Sequence, residues 1–112
     1  MEIIGKLIHI RKYFYITIPS FVYQHWCDAS NSDVKYVLVS YDEKDDSMII
    51  YPYLWGKEKK HVKGEIRKLI IRGSTVLITI PFSIGTEWFD KGVIYLRKMY
   101  FEDEYKLVVK PL

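Results

Sequence analysis

Ile16-Thr17-Ile18-Pro19 returns as Ile78-Thr79-Ile80-Pro81, 62 residues on. At that offset Ile4-Gly5-Lys6-Leu7-Ile8 falls on Ile66-Arg67-Lys68-Leu69-Ile70, Trp26 on Trp88 and Asp28 on Asp90. After a three-residue deletion the offset becomes 59, and Val34, Tyr36, Tyr41, Glu43 and Pro52 meet Val93, Tyr95, Tyr100, Glu102 and Pro111. So many coincidences in one order read as a single unit written twice, and a repeat has to be read before its elements.

Outward from the tetrapeptide, Phe14, Ile16 and Ile18 alternate with Tyr15 and Thr17, the two-residue period of a half-buried strand. An apolar strand precedes it, Ile3–Ile10 in one copy and 66–72 in the other. The turn between them contains Arg11-Lys12-Tyr13 or Gly73-Ser74-Thr75, and only the second has the residues that tight turns favour. The proline cannot continue a central strand but suits the first position of a helix. Short helices are therefore predicted from Pro19 and Pro81. Val22 with Trp26, and Ile84 with Trp88, stand four apart and would share a core-facing stripe, and Gly85 weakens the second helix. Two more strands follow in each copy, 34–41 with 47–53 and 93–101 with 105–111, joined by the acidic turns 42–46 and 102–104. The unit is β-β-α-β-β, repeat 1 spanning 1–53 and repeat 2 spanning 64–112, with 54–63 as a basic connection.

At 112 residues one compact domain is expected. An apolar share of 49% with 16% aromatics excludes a disordered chain, and the ten tyrosines favour strands. The chain has no apolar run long enough for a membrane span and no signal-peptide plan at its start. Its single cysteine, Cys27, forms no internal disulfide, so an intracellular, cytoplasmic protein is expected. One Gln and one Asn among many charges is a pattern of proteins that work hot, which suits a hyperthermophilic host or a virus of one. The net charge of +3 is unevenly held. Residues 1–56 carry 5 Lys+Arg against 7 Asp+Glu, and residues 57–112 carry 12 against 7. A local excess of this kind is what an anionic partner meets.

The second copy, Arg72-Gly73-Ser74-Thr75-Val76-Leu77-Ile78-Thr79-Ile80-Pro81, is similar to the Gly-Ser-Thr strand-to-proline run of archaeal members of the AbrB/MazE/SpoVT swapped-hairpin family, which implies an archaeal protein or one of an archaeal virus. Phe89-Asp90-Lys91-Gly92-Val93 resembles that family's entry to the third strand, without its Asp. The first copy departs more, with Tyr13-Phe14-Tyr15 in place of the Gly-Ser turn and Ser30-Asn31-Ser32-Asp33 in place of Gly-Asp. In that family two chains exchange hairpins to build one barrel. The resemblance therefore implies a mainly β fold with two short helices: a single-chain, pseudo-two-fold, swapped-hairpin β-barrel.

The resemblance also implies DNA contacts on the first strand and first turn, here Lys6, Arg11, Lys12, Arg67, Lys68 and Arg72. The lysines of the connection, Lys57, Lys59, Lys60 and Lys63, extend the same basic set. Such side chains gain affinity by displacing counterions from phosphates, and Arg can fork onto guanine; the bland reading is a solvated surface. Tyr13, Phe14 and Tyr15 beside Arg11 and Lys12 fit cross-strand pairs or core, with a stacking platform for unpaired bases as the sharper alternative. His25 and Cys27 make at most half a zinc site, and the acidic turn at 42–46 lacks the glycine and closing glutamate of an EF-hand loop. No catalytic constellation, cofactor motif or metal set is legible. The expectation is a duplex-DNA-binding transcriptional regulator without enzyme activity, able to self-associate further. The competing expectation is a protein-interaction module, antitoxin-like or binding a host partner, that has lost DNA binding.

Overall fold

In the computed structural model, which describes residues 2–53 and 64–112, the chain is mainly antiparallel β with two helices. The elements run β1 (Glu2–Lys6), β2 (Ile8–Ile10), β3 (Tyr13–Ile18), α1 (Ser20–Ser30), β4 (Tyr36–Asp42), β5 (Ser47–Pro52), β6 (Glu65–Lys68), β7 (Ile70–Arg72), β8 (Thr75–Thr79), α2 (Phe82–Asp90), β9 (Tyr95–Phe101) and β10 (Lys106–Pro111). A single 3₁₀ turn, Glu102–Glu104, joins the last two strands. Neither helix is long and apolar enough to cross a membrane.

Each first strand is two strands rather than one. The Leu7 N–H bonds the carbonyl of Ile94 at 2.9 Å, one step past the Lys6–Tyr95 pair, and the Leu69 N–H bonds that of Lys35 at 2.9 Å, one step past Lys68–Tyr36. The next residues, Ile8 and Ile70, already pair with Tyr15 and Leu77, so the chain passes from one sheet to the other at Leu7 and at Leu69. The result is a six-stranded sheet ordered β1-β9-β10-β5-β4-β6 and a four-stranded sheet ordered β2-β3-β8-β7. Both stay open, so among the described residues no ladder closes a barrel.

The registers are specific. Ile16 stands opposite Ile78 where β3 meets β8, and Ile49 stands opposite Val108 where β5 meets β10. β1 pairs with β9, Ile4 opposite Arg97, and β6 pairs with β4, Ile66 opposite Leu38. Alternation then sorts the side chains. Phe14, Ile16, Ile18, Val76, Ile78 and Ile80 turn inward from the smaller sheet, and Val37, Val39, Met48, Ile50, Leu96, Leu107 and Val109 from the larger. Full burial of each aliphatic contributes on the order of 2 kcal/mol.

The helices begin one residue later than the proline. Pro19 (φ −54°) and Pro81 (φ −49°) are the cap residues, and their carbonyls accept the first helical bonds. Val22, Trp26, Ile84 and Trp88 are buried as the four-residue spacing requires. Each Trp also anchors a turn. Trp26 Nε1 donates to the carbonyl of Tyr105 at 2.9 Å, and Trp88 Nε1 donates to Asp46 Oδ1 at 2.9 Å. Both acceptors lie in left-handed backbone, φ 56° and 47°. Gly85, a weak helix residue, is required by packing: a Cβ there would lie 2.5 Å from the Phe14 ring.

Candidate nucleic-acid interface

The strands of the smaller sheet, Ile8–Ile10, Tyr13–Ile18, Ile70–Arg72 and Thr75–Thr79, contain no Asp or Glu, and neither do the turns joining them. The acidic turns belong instead to the larger sheet, between β4 and β5 and between β9 and β10. Segregation of this kind gives one face a sustained positive potential that paired surface charges would cancel.

Arg11 and Lys12 form the two-residue tip between β2 and β3, where Ile10 pairs with Tyr13. Gly73 and Ser74 form the matching tip between β7 and β8, with Arg72 at its shoulder opposite Thr75. Because β3 and β8 are antiparallel, the tips lie at opposite ends of the sheet, about 30 Å apart at about 3.3 Å per residue. Lys6 and Lys68 sit at the bends where chain leaves the larger sheet, each across from an exposed tyrosine, Tyr95 and Tyr36. Lys6, Arg11, Lys12, Lys68 and Arg72 are all exposed, and none is in a salt bridge among the described residues.

Arg67 does not join them. Its Nη2 and Nε donate to Glu65 Oε2 at 2.6 and 3.1 Å, and its Nη1 to Thr79 Oγ1 at 2.7 Å. The guanidinium is occupied as a structural tie between β6 and β8. Lys57, Lys59, Lys60 and Lys63 lie outside the described residues.

A cation that sequence reading missed explains the tie. Lys98 on β9 is 2% exposed, and its Nζ donates to the carbonyl of Thr17 at 2.8 Å and to Thr17 Oγ1 at 2.7 Å. Thr17 lies beyond the last residue pair between β2 and β3, so its carbonyl has lost the neighbour that the bend at Leu7 took away. Lys98 fills that corner of the structure and Arg67 fills the corner at Thr79. The space for Lys98 comes from Gly5, whose added Cβ would lie 2.7 Å from Nζ. Burial pushes the Lys98 amine down to about 8. The signal was legible in the alternation Leu96, Lys98, Tyr100, which puts a lysine on an inward register.

Several other polar groups are held by protein partners. His25 Nδ1 and the Tyr100 hydroxyl are 2.6 Å apart, and the Val34 N–H points at Cys27 Sγ at 3.5 Å, so the two residues of the half-site face different partners. The Tyr41 hydroxyl and Trp88 indole both bond the Asp46 carboxylate. Burial raises its affinity for a proton, but these bonds outweigh that and hold it below the usual carboxylate range. Comparison with protein-family models, curated proteins and solved structures gives no match to this chain.

Proposed function

We propose that the protein binds duplex DNA as a transcriptional regulator of the AbrB-like swapped-hairpin kind, its two repeats standing in for two subunits. The observation that carries the proposal is the acid-free smaller sheet, rimmed by five free cations at its tips and bends. Tips about 30 Å apart are close to the 34 Å of one duplex turn, so both can meet one face of the same DNA.

The pseudo-dimer is supported by register. At the sequence offset of 62, Ile78 is the counterpart of Ile16, and the two pair with each other. At the offset of 59, Val108 is the counterpart of Ile49, and they pair as well. Ile4 opposite Arg97 and Ile66 opposite Leu38 are one relation in two copies. An approximate two-fold axis through both central pairs accounts for all four. On this reading β1 and β6 are the exchanged segments, each completing the sheet of the other repeat.

The test is fluorescence anisotropy with a labelled random duplex across a salt series. Five phosphate contacts predict a log–log slope of about −4.5, and Arg72→Ala or Lys68→Ala should each lower its magnitude by about 0.9. Arg67→Ala should leave the slope in place. A second reading, docking of a protein partner, is favoured by Phe82 and Phe89 on α2, which are 64% and 50% exposed. Folded protein that fails to bind random duplex or genomic fragments at low salt would overturn DNA binding in favour of that reading.

A further inference from the structure

The outward face of the smaller sheet is unlike in its two halves. On β3 it presents Tyr13 and Tyr15; at the equivalent places on β8 it presents Thr75 and Leu77. Tyr13 is 51% exposed, and Tyr15, two residues along the same face, is half-buried. Lys12 Nζ lies 5.5 Å from the centre of the Tyr13 ring, and Arg11 is the next residue of the tip. Ile10 and Ile8 stand directly across from the two tyrosines and give the rings an apolar border.

We propose that this half of the face takes unpaired bases of a nucleic-acid single strand. Tyr13 and Tyr15 supply two successive stacking positions, and Arg11 and Lys12 hold the phosphates beside them. The inference rests on the nucleic-acid reading above and deepens it: the tip at Arg11 and Lys12, which meets duplex phosphates, also offers stacking positions to opened or single-stranded DNA, and the tip at Gly73 and Ser74 does not. Single-strand sites combine these parts, aromatic faces that accept any base and cations that follow the backbone. Charge complementarity singles out this occupant. The face carries apolar rings, as a protein-binding surface would, but its strands and their tips hold no acid and the tip beside the rings carries Arg11 and Lys12. Glu65, which reaches the edge at Thr79, is neutralised there by Arg67.

The experiment compares a labelled 20-nucleotide single strand with its duplex form at one salt concentration, using wild type, Tyr13→Leu and Tyr13→Phe. A 2-aminopurine base in the single strand reports stacking directly. Tyr13→Leu should weaken single-strand binding about tenfold and cut the 2-aminopurine response by about half, Tyr15 keeping the rest. Duplex affinity should stay within about twofold, and Tyr13→Phe, which keeps the ring, should behave as wild type. Equal losses on both forms, or no loss on either, overturn the inference while the duplex reading stands. If Tyr13→Leu does not fold, Tyr13→Phe and the wild-type 2-aminopurine signal decide, and a flat signal on binding overturns the inference. Failure of wild type to bind either form overturns the nucleic-acid reading itself.

Discussion

Arg11 holds a left-handed backbone conformation, φ 57°, at the tip where the second hairpin uses Gly73 at φ 60°. A side chain in that region costs about 1 kcal/mol that glycine avoids. Strain of this kind persists where something else requires the residue, and a cation aimed out of a tip is a reason to keep it. Arg11→Gly is therefore expected to raise stability by up to about 1 kcal/mol in urea melts while weakening duplex binding and flattening its salt slope. A variant that loses stability, or keeps full affinity, would show that the arginine is there for packing. Lys98 makes a second prediction at this scale. Its amine drops from 10.5 unfolded to about 8 folded. The unfolded chain binds the extra proton between those values, so this contribution is full above 10.5 and lost as pH falls to 8. Above 10 the tyrosines act oppositely, Tyr23 and Tyr100 being raised to about 12 by burial. Between pH 8 and 10 the wild type should gain about 2 kcal/mol, and Lys98→Met should not.

At the scale of elements, α2 shows packing overruling propensity. Replacing a mid-helix glycine by alanine ordinarily gains up to about 1 kcal/mol. Gly85→Ala should instead cost about 1–3 kcal/mol, because its methyl would meet the Phe14 ring, a buried group held between His9, Phe82 and Phe89. Phe14→Leu in the same background should recover part of that loss, which a double-mutant cycle in thermal melts will measure. The strand alternation around Ile16-Thr17-Ile18, the proline stop, the Val22/Trp26 and Ile84/Trp88 stripes and the acidic turns were all legible in the sequence, because each depends on neighbours a few residues away. The division of the first strand at Leu7 and Leu69 was not. It follows from pairing of β1 with β9 and of β6 with β4, strands distant in the chain, up to Leu7 and Leu69. The exposure of the tip cations was legible for the same local reason. The ties of Arg67 were not, because Glu65 and Thr79 meet it together only in the folded sheets.

At the scale of the whole molecule, each corner between the sheets receives one cation, but the two halves of the chain, the proposed repeats, supply it from different strands. At Thr17 it is Lys98 of β9, with Gly5 on β1; at Thr79 it is Arg67 of β6, with Val39 on β4. By the repeat offsets Gly5 and Arg67 are counterparts, and so are Val39 and Lys98. Two copies of the first repeat would leave both corners without a cation, and two copies of the second would place two cations in each. The proposed pseudo-dimer is thus complementary only as first with second, which is a reason for its halves to share one chain. The corner can be rebuilt to test this. Lys98→Val alone leaves the buried Thr17 carbonyl without a donor and should cost about 1–3 kcal/mol. Gly5→Arg alone brings a second cation against Lys98 with no carboxylate between them, and should cost at least as much. Together they copy the Arg67–Val39 pair, and Ile3→Glu adds the counterpart of Glu65; the combined variant should be more stable than either single one, with a favourable coupling of about 1–3 kcal/mol. Additive losses in urea melts would mean that the two corners are not equivalent, and the two-fold reading of the molecule would fall with them.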